Sequence, residues 1–153
     1  MSNAVPYDAT LQVRDACLCL HVQRAARALA RRFDEAFRPF DLTNGQFSLM
    51  MALNRPEPPT IGAVAPLLAM DRTTLTAALK PLQRRGLVEA LANPRDRRER
   101  RMALTPAGHA LLLQALPVWR QTHAEIEAGL TAGGPDTLRD LLLALSKPAM
   151  QPA

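Results

Sequence analysis

The apolar positions of this chain fall into helical stripes over most of its length. Leu18, Val22, Ala25, Leu29 and Phe33 make one stripe, and Val13, Cys17 and Leu20 make a second. Both fit a single helix from Leu11 to about Phe37, roughly 40 Å long at ~1.5 Å per residue. A helix apolar on more than one side has to bury against something besides its own small domain. Pro39 ends it, and Met1–Thr10 ahead of it should be frayed. Thr43-Asn44-Gly45-Gln46 is a capping box that opens the next helix, with Phe47, Met50 and Met51 pointing inward. Thr60 caps a shorter helix over Ile61 to Met70, which Pro66 should bend. Leu68-Ala69-Met70-Asp71 then reads as a tight turn between two helices.

The most informative stretch runs from Asp71 to Gly108. Asp71 is a good N-cap, and Leu75, Leu79 and Leu82 fall at i, i+4 and i+7. The opposite face holds Thr73, Ala77, Lys80 and Arg84, with Thr74 and Thr76 at its edges. Pro81 predicts a kink or local loosening, and Gly86 ends the helix in the left-handed position. Leu87–Leu91 and Met102–Leu104 can pair across the turn signal Asn93-Pro94. The tip between them carries Arg95, Arg97, Arg98, Arg100 and Arg101 against only Asp96 and Glu99. A hydroxyl-lined helix followed by a hairpin with a cationic tip is the layout of a winged helix-turn-helix, in which the helix enters the major groove.

Past the hairpin, Thr105 caps a long helix with Pro106 at its first position. Leu112, Leu116, Trp119, His123, Ile126 and Leu130 form its apolar side, and Pro117 should bend it. Gly133-Gly134 breaks the chain before a last helix begun by Pro135, with Leu138, Leu141, Leu142 and Leu145 at helical spacing. Lys147-Pro148 onward should be loose. The predicted fold is therefore mainly α with a small β-hairpin wing. A winged helix-turn-helix DNA-binding domain (39–104) lies between an N-terminal dimerisation helix (1–38) and C-terminal dimerisation helices (105–153).

Composition sharpens this. The chain has 153 residues and is 48% hydrophobic but only 4% aromatic, so Leu, Ala, Val and Met must build the core. Nineteen basic residues give a net charge of +5 and point to a polyanion. Only Lys80 and Lys147 among them are Lys, and Arg is the better residue for bidentate phosphate and guanine contacts. No apolar run reaches the ~18 residues of a membrane span, and no basic-then-apolar leader opens the chain. The expected location is the cytoplasm, where Cys17 and Cys19 stay reduced.

Four pieces carry a family likeness: Asp71-Arg72-Thr73-Thr74-Leu75-Thr76, Arg85-Gly86-Leu87-Val88, Asp96-Arg97-Arg98 and Leu104-Thr105-Pro106-Ala107-Gly108. In this order and spacing the sequence resembles the MarR family of bacterial transcription regulators. The resemblance implies a homodimer on a pseudo-palindromic double-stranded operator. It implies that the wing arginine matched by Arg98 enters the minor groove while Asp96 braces it. It also implies a small-molecule pocket between the winged domain and the dimer helices, for which His21, Phe47, Met50 and Trp119 are candidates by position, suiting a small aromatic or lipophilic ligand.

Residue chemistry and the resemblance, which alone supplies the roles of Asp96 and Arg98, together give Arg72, Thr73, Thr74, Thr76, Lys80, Arg84, Arg95, Asp96, Arg97 and Arg98 as the candidate DNA-contact set. The threonines suit bases or phosphates, Lys80 and Arg84 suit phosphates, and Thr73 or Thr74 could instead only support the cap. Cys17, Cys19 and His21 spell C-x-C-x-H, but on a helix Cys19 lies far round from the other two. A thiol- or metal-responsive regulator using Cys17 or Cys19 is one alternative function, and a helical protein-interaction adaptor is another. No Ser/His/Asp grouping, Gly-rich phosphate loop or paired carboxylates suggests catalysis, so no enzyme, cofactor or metal is expected.

Overall fold

The computed structural model describes residues 4–147. Its order is α1 (Tyr7–Ala16), α2 (Leu18–Phe37), a 3-10 turn (Arg38–Phe40), α3 (Asn44–Leu53), α4 (Ile61–Val64), α5 (Arg72–Arg84), β1 (Val88–Ala92), β2 (Arg100–Leu104), α6 (Pro106–Ala128) and α7 (Gly134–Ser146). The architecture is mainly helical with one antiparallel hairpin, as the sequence predicts. Among the described residues no helix is long and apolar enough to cross a membrane.

Local chemistry accounts for the boundaries. Both arms of the capping box close at α3: Thr43 Oγ1 accepts from the Gln46 amide at 3.1 Å, and Gln46 Oε1 accepts from the Thr43 amide at 3.1 Å. Asp34 reaches in from α2 and accepts from the Asn44 amide at 2.7 Å and its side-chain amide at 2.9 Å. Those two donors hold the Asp34 carboxyl below its ordinary range. Thr60 caps α4 through the Ala63 amide at 3.2 Å, and Thr105 caps α6 through the Gly108 amide at 3.1 Å.

Several expectations are corrected. The long helix over Leu11–Phe37 is two helices, broken at Cys17, whose ψ of 108° is extended. The break is stabilised locally: Cys17 Sγ accepts from the Leu20 amide at 3.5 Å, and His21 Nδ1 donates to the Cys17 carbonyl at 2.8 Å. Tyr7–Thr10 are helical rather than frayed, whereas Met1–Asn3 lie outside the described residues, as does everything after Lys147. The helix expected over Ile61–Met70 stops at Val64. Pro66 has no amide to continue it, and the chain closes instead with Ala69 amide to Pro66 carbonyl at 3.2 Å and Met70 amide to Ala65 carbonyl at 3.0 Å. Ala69 takes φ 50° to make that closure, the left-handed corner of the helix-turn-helix. By contrast α5 runs unbroken through Pro81 and α6 through Pro117.

One apolar core joins these elements. Leu75, Leu79 and Leu82 of α5 pack there with Phe37 of α2, Phe47 and Met50 of α3, Met102 and Leu104 of β2, and Leu112 of α6. A ladder of rings runs through it: Phe33–Phe37 at 5.9 Å, Phe37–Phe47 at 4.6 Å, Phe47–Trp119 at 6.4 Å and Trp119–His123 at 4.8 Å between centroids. Gly108 brings α6 against the hairpin: a Cβ there would land on the Leu87 carbonyl oxygen. Outside this core the picture changes. Val13 of α1, Leu18 and Leu29 of α2, and Leu138, Leu141, Leu142, Leu143 and Leu145 of α7 are all exposed in the single chain. No residue of α1 or α7 is buried.

Candidate nucleic-acid interface

Helix α5 presents its polar side outward because its apolar stripe is committed to the core. Arg72, Thr73, Thr76, Ala77, Lys80 and Arg84 are exposed, while Leu75 and Leu82 are fully buried. Asp71 caps the helix twice, accepting from the Thr74 amide at 2.7 Å and the Thr74 hydroxyl at 2.9 Å. These bonds hold its carboxyl below the usual range. Thr74 is thus part of the cap, the humbler of the two roles considered for it. The Thr76 hydroxyl donates back to the Arg72 carbonyl at 2.7 Å. Thr73 is the threonine of the three whose hydroxyl is free of such local bonds among the described residues, and it stands at the N-terminal end that meets base edges in this motif. Arg85, next in line, is structural: its guanidinium donates to the Asp41 carbonyl at 2.5 Å and the Phe40 carbonyl at 3.3 Å.

The wing is longer in strand and shorter in loop than the sequence suggests. The register pairs Val88 with Leu104, Leu91 with Arg101 and Ala92 with Arg100. Arg100 and Arg101 are therefore strand residues rather than tip residues. Arg101 is tethered further, bridging to Thr60 through the backbone and lying 3.9 Å from Glu57. The loop proper keeps Arg95, Arg97 and Arg98, all exposed. Two side chains shape it. Asn93 Oδ1 accepts from the Arg95 amide at 3.1 Å, and Asp96 Oδ1 accepts from the Arg98 amide at 2.9 Å. Asp96 braces the backbone of Arg98 and leaves its guanidinium to project.

The four ligand candidates do not converge. Phe47 and Trp119 line one cleft of about 360 Å³ with Met51, Leu68 and Leu116, and Ser48 is the polar side chain in its wall. Met50 is wholly buried in the core, and His21 lies along α2 beside Arg24, Arg27 and Arg31. The sequence missed Met51, Ser48 and Leu68 as cleft residues because helical spacing marks them as core or turn and says nothing about a gap between α3 and α6. Cys17, Cys19 and His21 do not gather: among the described residues no group of three such side chains could hold a metal ion. Cys19 Sγ accepts from Gln23 Nε2 at 3.3 Å, one turn along its own helix.

Known proteins share this plan. A family model described as MarR family matches residues 42–99, the span from the end of the Arg38–Phe40 turn to the wing loop. The multiple antibiotic resistance protein MarR of Escherichia coli is 33% identical over 113 residues, covering 73% of this chain and 78% of that one. The M. tuberculosis transcriptional regulator MosR, solved in complex with DNA, superposes with a TM-score of 0.78 at 37% identity, over 85% of this chain and 93% of its own. BpsR of Bordetella bronchiseptica, whose DNA binding is regulated by 6-hydroxynicotinic acid, gives a TM-score of 0.77 at 25% identity, over 87% of this chain and 95% of its own. These relatives are regulators of transcription, not enzymes. With the exposed face of α5 and the arginine-bearing wing in the places such a fold requires, the chain belongs to the MarR family of winged-helix transcriptional regulators.

Proposed function

We propose that this protein is a homodimeric repressor that binds a pseudo-palindromic operator in double-stranded DNA and is released by a small aromatic or lipophilic ligand. The carrying observation is the pairing of an outward Thr73/Thr76/Lys80/Arg84 face with a wing loop bearing Arg95, Arg97 and Arg98. Lys80 and Arg84 supply phosphate contacts that set register, Thr73 and Thr76 meet base edges, and Arg98 enters the minor groove. Arg72, Thr74 and Asp96 belong to the same surface, Thr74 and Asp96 as its braces. That MosR was solved on DNA supports this reading.

Dimerisation follows from surface that one chain cannot cover. A free helix of α7's length is marginal in water, yet α7 buries none of its five leucines. Each is only partly exposed, so covering the remainder would contribute about 1 kcal/mol apiece, and a second copy offers the same helices in return. Two-fold pairing then sets the two recognition helices one or more DNA turns apart. The apolar cleft at Phe47 and Trp119 is the ligand site in this reading, and the small-molecule control of BpsR supports it. Occupying it would change the spacing of the paired helices and so the operator affinity. Repression is the outcome where the operator overlaps a promoter.

The test is a titration of the full chain against DNA from upstream of its own gene. Specific binding should weaken by roughly 10³-fold between 50 and 200 mM salt, the mark of several displaced counterions. Arg98→Ala should weaken operator binding by at least ~1 kcal/mol. Equal affinity for every duplex at near-physiological salt would rule out the regulator, and unchanged affinity in Arg98→Ala would rule out the wing assignment.

A further inference from the structure

Gly62 lies in the first turn of α4, and its φ is not positive. Alanine would be the better helix former there by about 1 kcal/mol, so the backbone gives no reason for glycine. The reason stands above it. A Cβ on Gly62 would lie 2.7 Å from Arg72 Nη2, 3.2 Å from Arg72 Cζ and 3.1 Å from Glu99 Oε1. The three nearest atoms are thus all side-chain atoms, and they come from two other elements. Arg72 is the first residue of the recognition helix, and Glu99 ends the wing loop, half-buried beside β2. A guanidinium and a carboxylate converge on one methyl-sized gap.

We propose that Glu99 is a positioning residue for operator recognition: acting on Arg72 across the bare Cα of Gly62, it sets the wing against the start of α5. This rests on the DNA-binding reading above and deepens it. Base readout by α5 and insertion by the wing require the two at a fixed separation; β1 follows directly on the C-terminal end of α5, but the start of α5 at Arg72 and the wing loop that ends at Glu99 lie far apart along the chain. Glu99 and Arg72 are the charged groups that meet between them. Charge alone predicts the opposite effect for Glu99, since an acid on a DNA-facing surface repels phosphate and should weaken binding to every sequence alike. Its effect on selectivity therefore separates positioning from field.

The experiment uses the full chain and two duplexes, the operator bound by the wild type and a scrambled version of it, in anisotropy titrations at fixed salt. Glu99→Gln and Gly62→Ala should each lower the operator-to-scrambled affinity ratio by about 5-fold, the scale of a coupled contact. Combining Glu99→Gln with Arg72→Gln should add nothing to Arg72→Gln alone. Gly62→Ala should melt no lower than the wild type, since the added methyl meets the ends of movable side chains in a helical position. If Glu99→Gln tightens both duplexes by one factor and leaves the ratio intact, Glu99 acts only through its field and the proposal is overturned. If Gly62→Ala melts lower, the Glu99→Gln ratio and the double variant decide by themselves. A wild type that cannot tell the duplexes apart would overturn the regulator reading as well, a result separate from variants that merely keep the wild-type ratio.

Discussion

A chain carrying Leu141→Asp and Leu145→Asp is expected to sediment as a monomer and to bind its operator about 100-fold more weakly or worse. Both leucines sit on α7 and are more than half exposed, at 60% and 56%. In one chain the change is therefore nearly free, and the helical signal in far-UV circular dichroism should persist. In the proposed dimer the same carboxylates would enter an apolar interface without partners, which costs several kcal/mol. Losing the dimer converts one two-handed grip into two independent weak ones. Retained dimerisation at micromolar concentration, together with wild-type operator affinity, would mean that α7 covers something other than a second copy.

The largest stability effect is expected at Gly108. An added methyl in Gly108→Ala would strike the Leu87 carbonyl oxygen, with the Leu87 carbonyl carbon at 3.1 Å and Leu104 Cδ2 at 3.4 Å. The obstacle is backbone, and it cannot swing away. That same carbonyl accepts from the Thr105 amide at 3.1 Å, while the Thr105 hydroxyl donates to the Gly86 carbonyl at 2.6 Å. Separating α6 from the hairpin would disturb both bonds, so the cost should be about 1–3 kcal/mol and the melting temperature should fall by about 3–10 °C. Gly45→Ala is the control: its nearest neighbour is Thr43 Oγ1 at 4.0 Å, and it should melt like the wild type. Equal melting temperatures for the two variants would refute the close approach.

The caps were readable in the sequence because each is a local bargain between a side chain and amides three residues on. Thr43, Thr60, Asp71 and Thr105 all cap the helices assigned to them. The Leu75/Leu79/Leu82 stripe was readable for a similar reason, since helical spacing alone puts the three on one face. The break at Cys17 was not, because neither proline nor glycine marks it and a thiol is an uncommon cap. Pro66 and Pro81 show the limit from the other side. Each removes one amide, yet α4 ends before Pro66 while α5 continues through Pro81, which is followed in the helix by the buried Leu82. Tertiary burial decided between them, and a single stretch of sequence does not display it. The DNA-contact residues were legible as a face, but not which threonine hydroxyls are already bonded to Asp71 or Arg72. Glu99 was legible only as a minority acid among arginines, because its relation to Gly62 exists only once α4, α5 and the wing are assembled.

The ring ladder ends in a practical asset. Trp119 is the single indole in the chain and forms part of the cleft wall, stacked between Phe47 and His123. Its ultraviolet emission therefore comes from one known place, with no background from a second fluorophore of its kind. A molecule settling against that ring would alter its colour or brightness directly. A duplex gripped by α5 and the wing, neither of which lines the cleft, would do so only if strain travelled through the interior, so an unlabelled sample in a cuvette can report both filling of the cleft and its conversation with DNA.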